Sequence, residues 1–375
     1  MKFKARLLDG GLHALHAHFL PALSKVDKEC VVYLTPTKMV LTQNYFKMDA
    51  VRVTASLGAR VVFAEYKVKS LERDRIAFPA DVTLLQRALQ SIKRIFNYEV
   101  GDVYVKLTRK APPGHDRGGD GGGAGQQGPQ GQNQPGGARG PVPRASGGIP
   151  YLSFVARRPP DDRTGQPGRV LITQDVPVGE PLPPVDLTTL DDGAKTARVR
   201  TYLALPRHFA RVAAMVDRLR ALSPCVALGV SRDGRLFVRG AGGELGASVG
   251  AEFTQLSVLG VREPYDDDLD GDGTQSRTEG PAARMRRLAV EGKLDRAVVD
   301  QKHLAQALCC QLTAPARTIV GVAGQSQYMV VGCQYDDETV AYGERQDALG
   351  GATFAPDVHL EFKLPIRMDE TDDLV

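Results

Sequence analysis

Residues 198–222 read RVRTYLALPRHFARVAAMVDRLRAL, and this stretch decides the fold. Polar and apolar side chains alternate over 198–205, which predicts a β-strand. Apolar residues then recur at helical spacing over 206–222, which predicts an amphipathic helix with Pro206 at its first position. The runs CVALGV, RLFVRG and ASVGAEFTQLSV follow and predict further strands. The repeating unit is therefore β-α-β-β-β.

This unit occurs four times in the chain. Asp81 and Asp300 stand where helix N-caps are expected for two of the other units. Two units make one domain, so we predict an α+β fold with two domains at 1–177 and 198–375. A proline-rich, acidic segment at 178–197 is the predicted linker between them. The strand and helix of the other three units are predicted at 2–8 and 11–28, at 72–78 and 81–96, and at 295–299 and 301–312.

Two insertions interrupt the repeat. Residues 112–148 contain 14 Gly, 6 Pro and 5 Gln in 37 positions. Such a segment cannot bury enough apolar surface to offset its ordering entropy, which predicts disorder. Residues 262–293 mix both charges around a Gly-Asp-Gly centre and end in a weakly helical run, which predicts a second, acidic insertion.

Composition excludes several classes of protein. The chain has 375 residues, of which 42% are apolar, and 48 Lys and Arg face 44 Asp and Glu. It contains no apolar stretch of the roughly 20 residues that a membrane helix needs and no secretory leader. Its five cysteines are mostly scattered and form no CxxC pair, which favours a reduced intracellular compartment over a disulfide framework or a zinc site.

The outward faces of the four predicted helices carry cations. At 100° per residue, one face of each helix is apolar and the opposite face is basic, with Asp27 and Asp217 as the acidic exceptions. Solvated helix faces usually mix both signs, so four basic faces in one chain favour a polyanion ligand. Lys and Arg bind phosphates without reading bases, which points to DNA of any sequence. The predicted DNA-facing residues are Lys25, Lys28, Arg87, Lys93, Arg94, Arg207, Arg211, Arg218 and Lys302.

Short motifs, in order and spacing, resemble one family over residues 1 to about 364. They resemble the Hus-type subunit of the heterotrimeric DNA-damage checkpoint clamp (the 9-1-1 clamp), a family similar to PCNA. The motifs are MKFKARLLDG at 1–10, CVVYLTPTKM at 30–39, FAEYKV at 63–68, DVTLLQRAL at 81–89 and TQDVPV at 173–178.

The resemblance implies two sliding-clamp (PCNA-like) domains in a nuclear protein. It implies a ring of this chain and two related clamp subunits around double-stranded DNA, with helices lining the hole and sheets outside. It also implies an ATP-dependent clamp loader, a scaffold role for checkpoint and repair proteins, and no catalytic residues or cofactor. Pro21 departs from a regular helix and should kink or split it. We expect the sheet edges that pair with neighbouring subunits near 104–110 and 335–342.

A calcium-loop spacing occurs in the second insertion. Gln275 stands where an aliphatic residue is usual, and Pro264 opposes an entering helix, so an acidic surface loop is the favoured interpretation. A calcium-responsive adaptor is the function that this motif alone would support. The candidate ligands are Asp268, Asp270, Asp272 and Glu279.

The remaining alternative is an enzyme. Basic helices could line the pocket of an enzyme that acts on a nucleotide or a phosphorylated substrate, but the sequence shows no clustered acid and base. The segment 324–328 is a near miss for a nucleophile elbow. His13 and His18 should lie 140° apart on an α-helix, so the histidines at 13, 16 and 18 predict helix-surface positions and no metal site. Cys309 and Cys310 should point to different faces of one helix, so we interpret them as packing residues.

Overall fold

The computed structural model describes residues 1–95, 102–110, 148–157, 171–192, 199–206, 209–241, 248–259, 280–323, 328–335 and 358–367. Its strands are β1 (Lys2–Leu7), β2 (Glu29–Leu34), β3 (Lys38–Gln43), β4 (Arg52–Gly58), β5 (Phe63–Lys69), β6 (Ile76–Asp81), β7 (Val103–Lys110), β8 (Ile149–Arg157), β9 (Leu171–Pro177), β10 (Val199–Leu205), β11 (Cys225–Ser231), β12 (Leu236–Ala241), β13 (Ser248–Phe253), β14 (Ser257–Leu259), β15 (Leu294–Asp300), β16 (Arg317–Ala323), β17 (Tyr328–Gln334) and β18 (Val358–Pro365).

The helices follow the four-unit plan. They are α1 (Asp9–His13), a π-helical segment (Ala14–Phe19), α2 (Leu20–Leu23), α3 (Ala59–Val62), α4 (Val82–Ile95), α5 (Pro184–Asp192), α6 (Ala210–Leu219), α7 (Pro281–Val290), α8 (Gln301–Leu308) and a 3₁₀ turn (Cys309–Thr313). Each unit has a strand, then a helical segment, then three or more strands, so the predicted β-α-β-β-β repeat is confirmed. None of the helices in the described ranges is long and apolar enough to cross a membrane.

Three antiparallel sheets hold the molecule together. One has the order β5-β1-β7-β8-β9, one the order β14-β10-β16-β17-β18-β4-β3-β2-β6, and one the order β13-β12-β11-β15. The nine-stranded sheet takes strands from both predicted domains, because β18 pairs with β4 from Val358↔Leu57 to Lys363↔Arg52. The boundaries at 1–177 and 198–375 stay a prediction.

The main core lies between the sheets and the helices. Phe19, Phe78 and Phe362 are among its largest fully buried side chains, and the inward residues of every sheet join it. In β18 the burial alternates strictly along the strand, as expected where only one face of a strand meets the core. A second, small cluster lies on the outer face of β2, β3 and β6, around Tyr33 and Val40.

The predicted linker is partly helical. Helix α5 covers the outer cluster with Leu187 and Leu190. Tyr33 donates a hydrogen bond of 2.5 Å from its hydroxyl to Asp191, and Arg75 pairs with the same carboxylate. Burial raises the pKa of Tyr33 despite the nearby positive charge of Arg75. The segment 184–192 is therefore attached to the first domain.

The end of the second insertion is also ordered. Helix α7 buries Met285 and Leu288 against Phe237 and Leu294. Arg284 donates to both carboxylate oxygens of Glu252, at 2.9 and 2.7 Å. Residues 280–293 therefore pack on the third sheet, whereas the acidic run at 268–279 lies outside the described residues.

The predicted subunit edge near 104–110 is wrong. Strand β7 pairs with β1 on one side and with β8 on the other, so it lies inside its sheet. Of the other predicted edge only Tyr335 is described, at the end of β17, which pairs on both sides with β16 and β18. The β7–β8 pairing extends to Lys110↔Ile149, so the first insertion leaves and re-enters the sheet at one hairpin position.

Candidate nucleic-acid interface

The helices form one layer. Helix α2 packs against α4, α6 packs against α8, and the 3₁₀ turn after α8 packs against α2. The layer therefore crosses the joint between the two halves of the chain without a break. Its inner side contacts the sheets, and its other side is open to solvent.

Helix α4 shows how each basic side chain is positioned. Its Asp81 N-cap accepts a 2.9 Å hydrogen bond from the backbone N–H of Leu84, as predicted. Five apolar side chains of the helix are buried, which turns the opposite side to solvent. Arg87 and Arg94 are exposed on that side, whereas Lys93 is half-buried. Lys93 lies close enough to His16 to help lower the pKa of that histidine.

Helices α6 and α8 repeat this arrangement in the second half. Val212, Val216 and Leu219 are buried, and Arg211 and Arg218 are exposed. Helix α6 begins at Ala210, so Pro206 is not at its first position as predicted, and Arg207 lies outside the described residues.

Helix α8 begins at its Asp300 N-cap. The carboxylate of Asp300 accepts a 2.8 Å hydrogen bond from the backbone N–H of Lys302, as predicted. Gln301 is buried and donates to the carbonyl of Val216 at 3.1 Å, which fixes α8 against α6. The side chain of Lys302 is exposed.

The first helical segment differs most from its prediction. It ends at Leu23, so Lys25 lies in the following turn and Lys28 lies next to β2, both exposed. Helical conformation continues through Pro21, and the helix is not split. Instead Leu20 donates its backbone N–H to the carbonyl of Leu15, five residues back. Pro21 has no N–H and its ring crowds the carbonyl four residues earlier, which a wider π-helical turn relieves.

Few carboxylates accompany these cations. Asp27 is partly buried and lies 3.5 Å from the ammonium of Lys47, and Asp217 is exposed. Exposed Arg220, directly after α6, was not predicted because it lies off the basic face of the helix. Within the described ranges, no carboxylate lies within 4 Å of the charged side-chain nitrogens of seven predicted residues, which are Lys25, Lys28, Arg87, Arg94, Arg211, Arg218 and Lys302.

The histidines join the two halves beneath this layer. His13 and His18 contact each other edge to face, with ring centres 4.9 Å apart, because the π-helical turn brings residues five apart onto one side. The prediction that they lie far apart is therefore wrong. His18 stacks on Tyr335 at 4.4 Å, and its Nδ1 donates to the carbonyl of Thr313 at 2.8 Å. Within the described residues, no group of three or more His, Cys, Asp or Glu is placed to hold a metal ion.

These histidines should make the fold sensitive to acid. Burial lowers the pKa of His16 and of His18, with Lys93 and His13 adding repulsion at His16. The unfolded chain then binds more protons than the folded chain below about pH 6.5, so stability is fully present above that pH and falls as pH drops. We expect the thermal midpoint to fall between pH 7.5 and pH 5.5, and to fall less in a His16→Gln/His18→Gln variant. Equal slopes in the two proteins would contradict this assignment.

A small cavity lies in the first domain. It has a volume of about 20 Å³ and is lined only by apolar side chains, including Leu15, Leu85 and Phe154. The exposed cations of the helix layer do not line it. Residues 324–327 of the near-miss elbow and residues 268–279 of the calcium-loop spacing lie outside the described residues.

Comparison with known proteins identifies a family that the chain matches. A protein-family model described as Hus1-like protein matches residues 1–342. The chain is 27% identical over 110 residues to a checkpoint protein hus1 homolog of Dictyostelium discoideum, an alignment that covers 29% of this chain and 38% of that relative. The chain therefore spans less than two-fifths of the curated relative that it matches.

A solved structure supports the same fold. Proliferating Cellular Nuclear Antigen from Entamoeba histolytica matches 97% of this chain and 98% of its own, with a TM-score of 0.50 and 8% sequence identity. At that identity the likeness shows the fold alone. The sliding-clamp fold predicted from the sequence is thereby confirmed. Since the family model covers nearly the whole chain, the protein belongs to the family of Hus1-like proteins.

Proposed function

We propose that this chain is a non-enzymatic subunit of a ring-shaped heterotrimeric DNA clamp that scaffolds checkpoint signalling and repair. The observation that carries the proposal is the continuous helix layer, with seven exposed cationic side chains whose charged nitrogens have no carboxylate within 4 Å in the described chain. In a ring, this layer is the surface that faces the enclosed duplex. The family membership supports the same interpretation.

The chemistry of the surface suits sliding. Lys and Arg release counterions from phosphates, and the resulting attraction does not depend on base sequence. The cations are distributed over α4, α6, α8 and the turn after α2, so the duplex is contacted along the whole layer. Encirclement holds the clamp on DNA, and weak phosphate contacts let it move.

Ring closure follows from the repeat inside the chain. Strand β18, the last of the second half, pairs with β4, the fourth strand of the first half. The equivalent strands β9 and β13 each end a sheet, so each has one free edge in the described structure. We infer that β9 of one subunit pairs with β13 of its neighbour, as β18 pairs with β4 here. Such a head-to-tail contact closes into a ring when the rotation allows it.

The proposed clamp has three kinds of protein partner: a loader, checkpoint and repair proteins, and two neighbouring subunits. Closed rings need an ATP-dependent loader to open them on DNA, and a checkpoint clamp acts in the nucleus with checkpoint and repair proteins. The two neighbours are related clamp subunits, since the family resembled is heterotrimeric. We propose that the nine predicted residues, including Arg207 and half-buried Lys93, face the DNA.

Co-expression tests the assembly. We expect the isolated chain to be monomeric or poorly soluble, because the free edges of β9 and β13 lack their partner strands. Together with the two related clamp subunits it should form a stable 1:1:1 complex, measured by sedimentation, whose electron-microscopy images show a ring with a central hole. A stable homotrimer of this chain alone would refute the proposed heterotrimer but would remain compatible with a ring. A compact complex without a hole would overturn the clamp.

A further inference from the structure

The outer face of the first sheet carries an unexplained row of lysines. Lys4 on β1 stands directly opposite Lys67 on β5 and also opposite Lys106 on β7. Lys2 stands opposite Lys69 in the next row of the same face. All five side chains are exposed, and we call them the lysine patch. They point away from the helix layer, because Phe3 and the other alternate residues of β1 are buried in the core.

The lysine patch has few acidic neighbours in the described chain, and of its members Lys106 lies close enough to Asp175 to help lower the pKa of that carboxyl. No ion pair joins any of its five ammonium groups to a carboxylate within 4 Å in these ranges, and Lys4 instead lies 5.6 Å above the ring of Tyr104. Like charges directly opposite each other destabilise a sheet. The row Lys67–Lys4–Lys106 therefore opposes folding, and an anionic partner would relieve it.

Protection of the sheet edge does not explain the patch. Lysines on edge strands prevent unwanted strand pairing, and that accounts for Lys67 and Lys69 on β5. Strands β1 and β7 lie inside the sheet, where Lys4 and Lys106 protect no edge. A role in binding accounts for all five residues.

The patch is small and bounded by carboxylates. Glu65 flanks it on β5, and Asp102 pairs with Arg6 at 3.2 Å. On the same face, Asp175 of β9 pairs with Lys110 and stands opposite Ser153, which in turn stands opposite Lys106. At strand spacings of about 4.8 Å and about 7 Å between alternate residues, the five lysines cover an area of roughly 10 by 7 Å. A duplex would extend beyond this area onto the carboxylates, whereas a short acidic peptide would not. The observations therefore favour a peptide.

Strand β5 offers the means to hold such a peptide. It pairs only with β1 and has a free edge in the described structure. An added strand would bond to that edge through its backbone. Its side chains would alternate, so that residues opposite Lys67 and Lys69 face the lysine patch and the residue between them faces the side of buried Val68.

We propose that the free edge of β5 and the lysine patch bind an extended acidic segment of a partner protein, with Asp or Glu at alternate positions and an apolar residue between them. The backbone contacts hold the segment, and the lysines select its charge. This surface lies on the opposite side of the sheet from the helix layer, so a clamp can bind the segment while it encircles DNA.

Fluorescence anisotropy with the assembled complex tests the proposal. The probe is a labelled eight-residue peptide in which Asp or Glu alternates with Val or Thr. One control peptide replaces the acids by Asn and Gln, and another carries Pro at its centre, which prevents strand addition. Lys67→Gln/Lys69→Gln and Lys4→Gln/Lys106→Gln remove charge from the patch. Lys25→Gln/Lys302→Gln removes the same charge from the helix layer.

We expect each patch variant to weaken peptide binding about tenfold or more and to leave thermal stability equal or higher. The helix-layer variant should bind the peptide within about twofold of wild type. The proposal fails if wild type binds the neutral or the Pro peptide as tightly as the acidic one, or if the patch variants bind unchanged. It also fails if only a single-stranded oligonucleotide, and not the peptide, loses affinity in the patch variants.

Discussion

Replacing Arg87, Arg211 and Lys302 together by Glu should weaken DNA binding by the assembled ring at least about tenfold near physiological salt. The three residues lie on α4, α6 and α8, are exposed, and have no carboxylate within 4 Å of their charged nitrogens in the described chain. Each phosphate that the ring no longer neutralises lowers the slope of log affinity against log salt by about 0.9, so the slope should fall by about 3. Titration of a labelled duplex at several salt concentrations measures both quantities.

A matched variant separates this effect from net charge. This control variant replaces Lys2, Lys67 and Lys69 by Glu, which changes the net charge by the same amount but on the outer sheet face. That variant should keep the wild-type slope. The loss in the helix-layer variant should be the same for duplexes of unrelated sequence, because phosphates carry no base information. A wild-type affinity and slope after the triple replacement on the helix layer would refute the proposed DNA surface.

The β-α-β-β-β repeat was predictable because each of its strands and helices has a recognisable spacing of apolar residues. Alternation and helical spacing located α4 and α8 to within a few residues, and Asp81 and Asp300 marked where they start. The same spacing indicated which side of each helix is basic, since most of the buried residues of α4 and all of those of α6 lie on the predicted apolar faces. Such patterns predict burial correctly because the spacing of apolar residues in each strand or helix determines which of its faces meets the core.

Other features depend on contacts that no local pattern records. The segment 104–110 looks like an edge strand, but β1, distant in sequence, pairs with β7 and covers it. Helix α5 has three prolines nearby and only Leu187 and Leu190 to bury, so it is stabilised by the sheet beneath it. The contact of His13 with His18 needs the π-helical turn, which an assumed 100° per residue excludes. Pro21 was the one local signal for it.

Proline on β9 should abolish ring assembly at one of two adjacent positions. In antiparallel pairing, alternate residues point their backbone N–H toward opposite neighbours. Of Thr173 and Gln174, one therefore donates toward β8 and the other faces the free edge. Proline at the edge-facing position removes no backbone hydrogen bond from the isolated chain, so its stability should stay within about 1 kcal/mol. That variant should nevertheless lose one neighbour, because a proline cannot donate to the incoming strand.

Proline at the other position should behave in the opposite way. It removes a hydrogen bond between β8 and β9, which costs about 1–3 kcal/mol in the isolated chain. Thermal melting of each purified variant identifies which position faces β8, and sedimentation with the two related subunits measures assembly. The pairing of β9 across subunits requires that the variant with unchanged melting is the one that fails to assemble. If that variant forms the full 1:1:1 ring, the subunits meet at another surface, and the equivalence of β9 with β18 does not extend beyond one chain.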